Sequence, residues 1–284
     1  MTFCNQHRRV FMVLLFSFSV LWVHAQQAAN QQVEGSCLSK AIVSIPSRPT
    51  VSNGADTTQC GVLEAEFGFE RQWPGAGAHR DDLSGGLRLG LTPHLDFHWT
   101  SSDFWNIVDE NGPRTGFGDT WLGLKYHFLM QTKRRPSLGV FYQAKVPTAD
   151  ENSEIGSGEF DHAISFLVSK DISRFHFDFN VTPLLAGRHG ARGIDHNAGL
   201  ALSFSIPLTR RLGLVGESYG STFLNSQTQA FASTMAGFTY QVHPRLVLDT
   251  GIDVGVTAWA PRKRIYVGVT YAMANLYSVM RSNR

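Results

Sequence analysis

Residues 116–128 read GFGDTWLGLKYHF. Successive side chains of a strand point to opposite faces, so Leu122, Leu124, Tyr126 and Phe128 fall on one face and Asp119, Gly123, Lys125 and His127 on the other. A water-soluble sandwich buries the apolar face and wets the polar one, whereas a transmembrane barrel shows its apolar face to lipid and encloses the polar one. One strand does not choose between them. The choice rests on its neighbours and on how they are joined.

The same period of two recurs along the chain. LEAEFGFER (63–71) sets Leu63, Ala65, Phe67 and Phe69 against Glu64, Glu66, Gly68 and Glu70, and LVLDTGIDVGV (246–256) sets Leu248, Ile252 and Val254 against Asp249, Gly251 and Asp253. Further segments of this kind lie near 82–92, 94–103, 117–129, 137–147, 160–170, 174–185, 193–207, 210–220, 229–242 and 264–274. Together they predict about twelve strands, an even number.

The connections decide the architecture. LTPHL (91–95), KDISR (170–174), PLTRR (207–211) and QVHPR (241–245) are short turns, and they alternate with longer stretches such as QWPGAGAHRDD, SSDFWNIVDENGPRT, PTADENSEIGSGEF, LLAGRHGARG and TFLNSQTQ. MQTKRRPS (130–137) is the exception, of moderate length where a short turn is expected. A sandwich gives no reason to keep long loops on alternate hairpins. An outer-membrane barrel does, because its periplasmic turns are short and its external loops long. The reading is therefore all-β, a transmembrane antiparallel up-and-down β-barrel of about 12 strands over residues 62–274, with both ends in the periplasm and a tail over 275–284.

The N-terminus agrees with export. Arg8 and Arg9 precede an apolar run from Val10 to Val23 and a Val23-His24-Ala25 ending. That is the layout of a signal peptide over 1–25 cleaved after Ala25; the alternative is a retained anchor, for which a run of about 14 residues is short against the roughly 20 that span a bilayer. The chain carries 25 Lys and Arg against 23 Asp and Glu. Loss of Arg8 and Arg9 brings the two into balance, which gives no electrostatic reason to bind nucleic acid. Residues 26–61 are polar and without period, and are expected to form a mostly irregular periplasmic leader. Cleavage leaves Cys37 and Cys60 as the only cysteines, and in an oxidising compartment they are expected to form a disulfide; two free thiols are the alternative, since spacing does not show that their Cα atoms approach.

The blocks GFGDTWLGLKYHF, GVFYQAKVPTAD, GSGEFDHAISFLVSKDI, FHFDFNVTPLLAG and LDTGIDVGVTAWAPRKRIYVGVTYAM resemble successive parts of the meta-pathway (MetA-pathway) phenol-degradation family of outer-membrane β-barrel transporters. The resemblance covers roughly residues 62–274. It implies a bacterial outer-membrane location, membrane lipid and a small solute as partners, and passage of aromatic or other hydrophobic compounds. It supplies no catalytic residues. One departure is that ANLYSVMRSNR continues past Tyr271, where a barrel ordinarily ends on a terminal aromatic.

The alternation names a lumen set: Glu64 and Glu66, Arg88, Asp96 and His98, Asp119 and Lys125, Lys145, His176 and Asp178, Glu217, and Asp249 with Asp253. Charges of both signs on an inner wall either bind a polar solute or pair with one another, and buried charges need partners. Glycines fall repeatedly on the same face, among them Gly90, Gly139 and Gly268, and are expected to mark bends. Trp73, Trp99, Tyr126, Phe128, Trp259 and Tyr271 suit interfacial girdles, with plain β-propensity as the alternative. The acidic stretch holding Asp150, Glu151, Glu154, Glu159 and Asp161 lacks the spacing of a helix-loop-helix calcium loop and reads as a solvated external loop, so no metal is expected.

A barrel hydrolase needs a base beside its nucleophile. The nearest approach is His98-Trp99-Thr100, with threonine and on the lumen face, so no catalytic residue and no cofactor is expected, nor is there a P-loop, a Cys-x-x-Cys pair or a His-Glu-x-x-His motif. Three alternatives to a solute channel stand: a plugged structural or surface-interaction barrel, a barrel lipid hydrolase, and a soluble periplasmic sandwich.

Overall fold

The structure, a computed structural model, describes residues 37–282 apart from 76, 150–154, 189 and 226–227. The signal segment therefore lies outside the described residues, as do Asp150, Glu151 and Glu154 of the acidic loop. The described chain runs β1 (Val62–Trp73), β2 (His79–Thr92), β3 (Leu95–Asp109), β4 (Gly112–Phe117), β5 (Thr120–Leu129), β6 (Ser137–Val146), β7 (Asp161–Ile172), β8 (Phe175–Gly187), β9 (Ile194–Pro207), β10 (Leu212–Ser221), β11 (Phe231–His243), β12 (Leu246–Gly255) and β13 (Lys263–Asn275), then a short helix α1 (Leu276–Ser282).

Adjacent strands pair antiparallel, and β1 joins β13 from Val62–Asn275 to Trp73–Lys263, which closes the ring. β3 carries two successive partners on one side: Leu95–Thr100 pairs with β5, and Phe104–Asp109 pairs with β4. β4 and β5 are thus two parts of one wall strand, and the barrel has twelve. Closure leaves no unpaired edge, which the interior of a bilayer requires. The stretch SSDFWNIVDENGPRT, expected as an external loop, is largely a hairpin that extends the wall, turned at Gly112 with φ 95°. Its Asn-Gly pair is the signal of that turn.

Burial is inverted relative to a soluble protein. In β5, Leu122, Leu124, Tyr126 and Phe128 are 38, 46, 49 and 54 % exposed, while Lys125 and His127 are 3 and 2 % exposed. The pattern repeats around the ring, with Phe67, Phe166, Phe179, Leu202, Phe238, Leu248 and Val267 outside and Glu64, Asp96, Glu217 and Asp253 inside. So continuous a band of exposed apolar side chains suits lipid and not water, and it removes the soluble sandwich. Some outer aromatics also cover strand glycines: Phe67 lies over its cross-strand partner Gly85, and Phe204 over Gly216, restoring packing that glycine cannot supply.

The short turns gather at the end where β1 begins and β13 ends. Pro93 and His94 join β2 to β3, Ser173 and Arg174 join β7 to β8, and Pro244 and Arg245 join β11 to β12. The tail past β13 forms α1, tied to this end by Tyr277 Oη donating to Leu91 O (2.9 Å) and Ser278 Oγ donating to Leu38 O (3.1 Å).

A loop inside the barrel as the candidate functional site

The segment expected as a periplasmic leader is irregular, and its residues 44–59 lie inside the barrel instead of beside it. The reason is chemical. A closed barrel with a charged inner face needs partners for those charges, and an extended Pro- and Ser-rich strand offers backbone amides for them. Glu64 accepts Ile45 N at 2.8 Å, Glu66 accepts Ser47 N at 2.8 Å and Ser47 Oγ at 2.7 Å, and Glu217 accepts Val51 N and Ser52 N at 2.7 and 2.6 Å. The chain then crosses to β8 and β7, where Asn180 accepts Asn53 N at 2.6 Å and Ser169 Oγ accepts Ala55 N at 2.8 Å. Asp96 takes Thr58 N at 2.7 Å as the segment returns to its starting end.

Both ends of this excursion are tied at one point. Cys37 and Cys60 are bonded, with S–S 2.08 Å and Cα atoms 4.6 Å apart, and Asn275 Nδ2 donates to Cys37 O and Ser39 O at 3.1 and 3.2 Å. The plug is therefore a covalently closed loop entering and leaving by the mouth that carries the short turns.

Four of the inward glycines, Gly68, Gly90, Gly139 and Gly268, make room for this loop, whereas others such as Gly123 and Gly251 make room for wall side chains. A Cβ on Gly90 would sit 2.6 Å from Thr58 O and closer still to Gln59 O, one on Gly139 would lie 3.3 Å from Ala55 O, and Gly68 and Gly268 face each other (as paired residues) across the Arg48 guanidinium. Gly90→Val should leave the wall folded and push Thr58 and Gln59 off it. Faster hydrogen exchange at Thr58 N, with unchanged β-content, is the expected result; unaltered exchange would show that the loop is not seated on Gly90.

All thirteen residues of the sequence-derived lumen set have partners among the described residues. Arg88 bridges Glu64, Glu66 (2.9 Å) and Ile45 O (2.6 Å). Asp96 holds His98 at 2.9 Å, against the Phe141 ring at 4.6 Å between centroids, and lies 4.0 Å from Lys125. At the long-loop end Lys145 joins Asp161 (2.6 Å) and Asp119 (3.4 Å), and Asp119 also accepts Ala149 N at 3.2 Å, holding the start of the β6–β7 connection. Asp161 of the acidic stretch thus begins a strand and is engaged by Lys145. His176 lies between Asp171 (2.7 Å) and Asp178 (3.2 Å), Asp249 faces Arg48 at 3.5 Å, and Asp253 accepts Tyr219 Oη at 2.7 Å. Sequence reasoning missed Arg48, Arg264, Asn180, Ser169 and Ser203, the last bonded to Ser52 Oγ at 2.7 Å. Arg48 sits in SIPSRPT, which has no period to place it, whereas Ser169, Asn180 and Ser203 occupy inward positions that alternation would have found.

Among the described residues two cavities lie beside the loop, both lined by Ser47, Arg48 and Arg88. One of ≈ 160 Å³ reaches Glu66, Gly85, Gly86, His98, Trp99 and Phe141; the other, of ≈ 230 Å³, reaches Lys125, His176, Asp178, Ser203 and Val215. Among the described residues no group of three or more His, Cys, Asp or Glu is placed to hold a metal ion.

Apolar outside, charged inside, closed on itself and with its short wall turns gathered at the end where β1 begins, this is a β-barrel of the outer-membrane type carrying an internal plug. The family described as "Putative MetA-pathway of phenol degradation" matches residues 47–273, and the chain belongs to it. The match starts within the plug. Similar solved structures include the COG4313 outer membrane channel from Pseudomonas putida F1 (TM-score 0.63, 11 % identity, 79 % of this chain and all of that one). The NanC porin (TM-score 0.54, 9 % identity, 74 % of this chain and 100 % of that one) and the KdgM porin (0.51, 8 %, 74 % and 99 %) are also similar. At these identities the likeness is one of fold. No curated protein matches the chain.

Proposed function

We propose that the chain is a passive outer-membrane channel for small solutes, aromatic or hydrophobic ones among them, and that the Cys37–Cys60 loop holds its axial path shut. One observation carries this reading: the loop is bound to the wall chiefly by hydrogen bonds, its apolar contact being the small cluster of Ala55 with Phe141 and Leu167. Each bond to a carboxylate is worth a net of about 1.5–3 kcal/mol and each neutral one about 0.5–1.5 kcal/mol, because water replaces the partner when it breaks, so a polar lumen can release the loop and fill with water. The two cavities beside Arg48 support the same reading. The family, described by its link to phenol degradation, supports aromatic solutes, and the similar COG4313 channel and NanC and KdgM porins support passage. In this reading residues 1–25 are removed on export, the short turns and both termini face the periplasm, and no covalent chemistry occurs, His98 being engaged by Asp96 and Phe141.

A second reading, a permanently plugged structural barrel, is favoured by the completeness of the charge pairing. Planar-bilayer conductance separates the two. The intact chain should conduct little, and a chain lacking residues 38–59 with Cys37 and Cys60 replaced by serine should show steady stepwise conductance. A loop-deleted barrel that inserts and stays silent would establish the structural reading.

A further inference from the structure

The cavity of ≈ 230 Å³ lies between the loop and strands β5, β8, β9 and β10, and its charges are unequally satisfied. Of the acids lining it, Asp178 accepts Ser169 Oγ at 2.5 Å and His176 at 3.2 Å, and Asp56 lies 3.7 Å from His127 Nδ1. Arg88 is spent on Glu64 and Glu66. The remaining two cations are not. Lys125, 3 % exposed, has its Nζ 3.4 Å from Gly54 O and 4.0 Å from the Asp96 oxygen that already takes Thr58 N. An ammonium carries three donors, and charge-assisted N–H···O bonds settle at about 2.7–2.9 Å. Arg48 Nε is buried, makes no hydrogen bond and stands 3.5 Å from Asp249.

We propose that this cavity binds a small organic monocarboxylate, its carboxylate on Lys125 and Arg48 and its hydrocarbon part against Ile45, Pro46, Pro49 and Val215; the proposal rests on the channel reading. Lys125 and Arg48 stand 4.0 and 3.5 Å from the carboxylates of Asp96 and Asp249, too far for a full charge-assisted hydrogen bond, so a carboxylate entering the cavity would find two cations with donors to spare. Its ≈ 230 Å³ corresponds to about eight waters and admits a molecule the size of benzoate. Lys125 thereby becomes a solute contact on the same strand whose alternation defines the wall.

The test is equilibrium dialysis of labelled benzoate against the full-length, folded protein in detergent, with benzamide as the neutral competitor of the same shape. Saturable binding that benzamide fails to displace is expected, weakened about tenfold or more by Lys125→Met and by Arg48→Gln. Arg48 belongs to the loop, so its variant keeps the test open if Lys125→Met does not fold. Absence of saturable binding, equal displacement by benzamide, or unchanged binding in the variants overturns the proposal. If benzoate does not bind while the loop-deleted barrel conducts, the carboxylate site falls and the channel reading stands. A loop-deleted barrel that does not conduct removes the channel reading itself.

Discussion

Replacing Arg88 by alanine destabilises the folded barrel by about 3–5 kcal/mol, the cost of removing one member of a buried ion cluster and leaving the others unpaired. Glu64 is fully buried, and it lies directly across the β1–β2 pair from Arg88, with Glu66 two residues along on the same face. Without the guanidinium two carboxylates share a site with no cation between them. The loop loses as well, since Arg88 also donates to Ile45 O at 2.6 Å and Ser47 Oγ at 3.1 Å. Unfolding by urea in lipid vesicles measures the loss. Combining Arg88→Met with Glu64→Gln and Glu66→Gln should recover much of it, because the penalty comes from stranded charge and not from lost volume. A variant as stable as the parent would mean that water reaches this cluster freely, and that the loop does not seal it.

Leu124→Arg tests the opposite face of the wall. Leu124 lies midway along β5 and is 46 % exposed on the apolar side, so a guanidinium there has to enter the hydrocarbon of the bilayer, at a cost of about 2–4 kcal/mol near the midplane. Its neighbour Lys125 carries a charge 3 % exposed on the inner side at no such cost. The same unfolding measurement in vesicles should therefore show a large loss for Leu124→Arg and a much smaller one in detergent, which offers water closer to the barrel surface. Equal stability in vesicles would refute the assignment of this face to lipid.

These expectations divide along what was legible in the sequence. The wall was legible because its rule is local. A strand half in lipid and half in water must alternate at every second residue, and the chain writes that alternation in Leu122 to Phe128, in Leu63 to Phe69 and in Leu248 to Val254. The lumen charges followed from the same rule, which is why Glu64, Asp96, Lys125, Glu217 and Asp253 are all buried. Where the reading slipped, a competing signal lay in the chain: Asn111-Gly112 makes a hairpin of the stretch read as an external loop. Nothing in the alternation showed that Gly90, Gly139 and Gly268 also leave space for Arg48, Ala55, Thr58 and Gln59.

The loop was not legible, and the reason is physical. Residues 44–59 carry no apolar period, since short stretches take their partners from different strands: Ile45 and Ser47 from β1, Val51 and Ser52 from β10 (Ser52 at a separation of 165 residues), Asn53 from β8 at 127, Ala55 from β7 at 114. Composition marks such a segment as irregular and goes no further. By itself, then, the sequence determined a twelve-stranded wall and the side on which each residue lies, because those depend on neighbours two positions apart. Only the tertiary structure decided that the leader turns into the lumen and lines it, because a closed ring of inward charges exists only once β1 has met β13, and only that ring supplies the carboxylates to which the loop's amides bind.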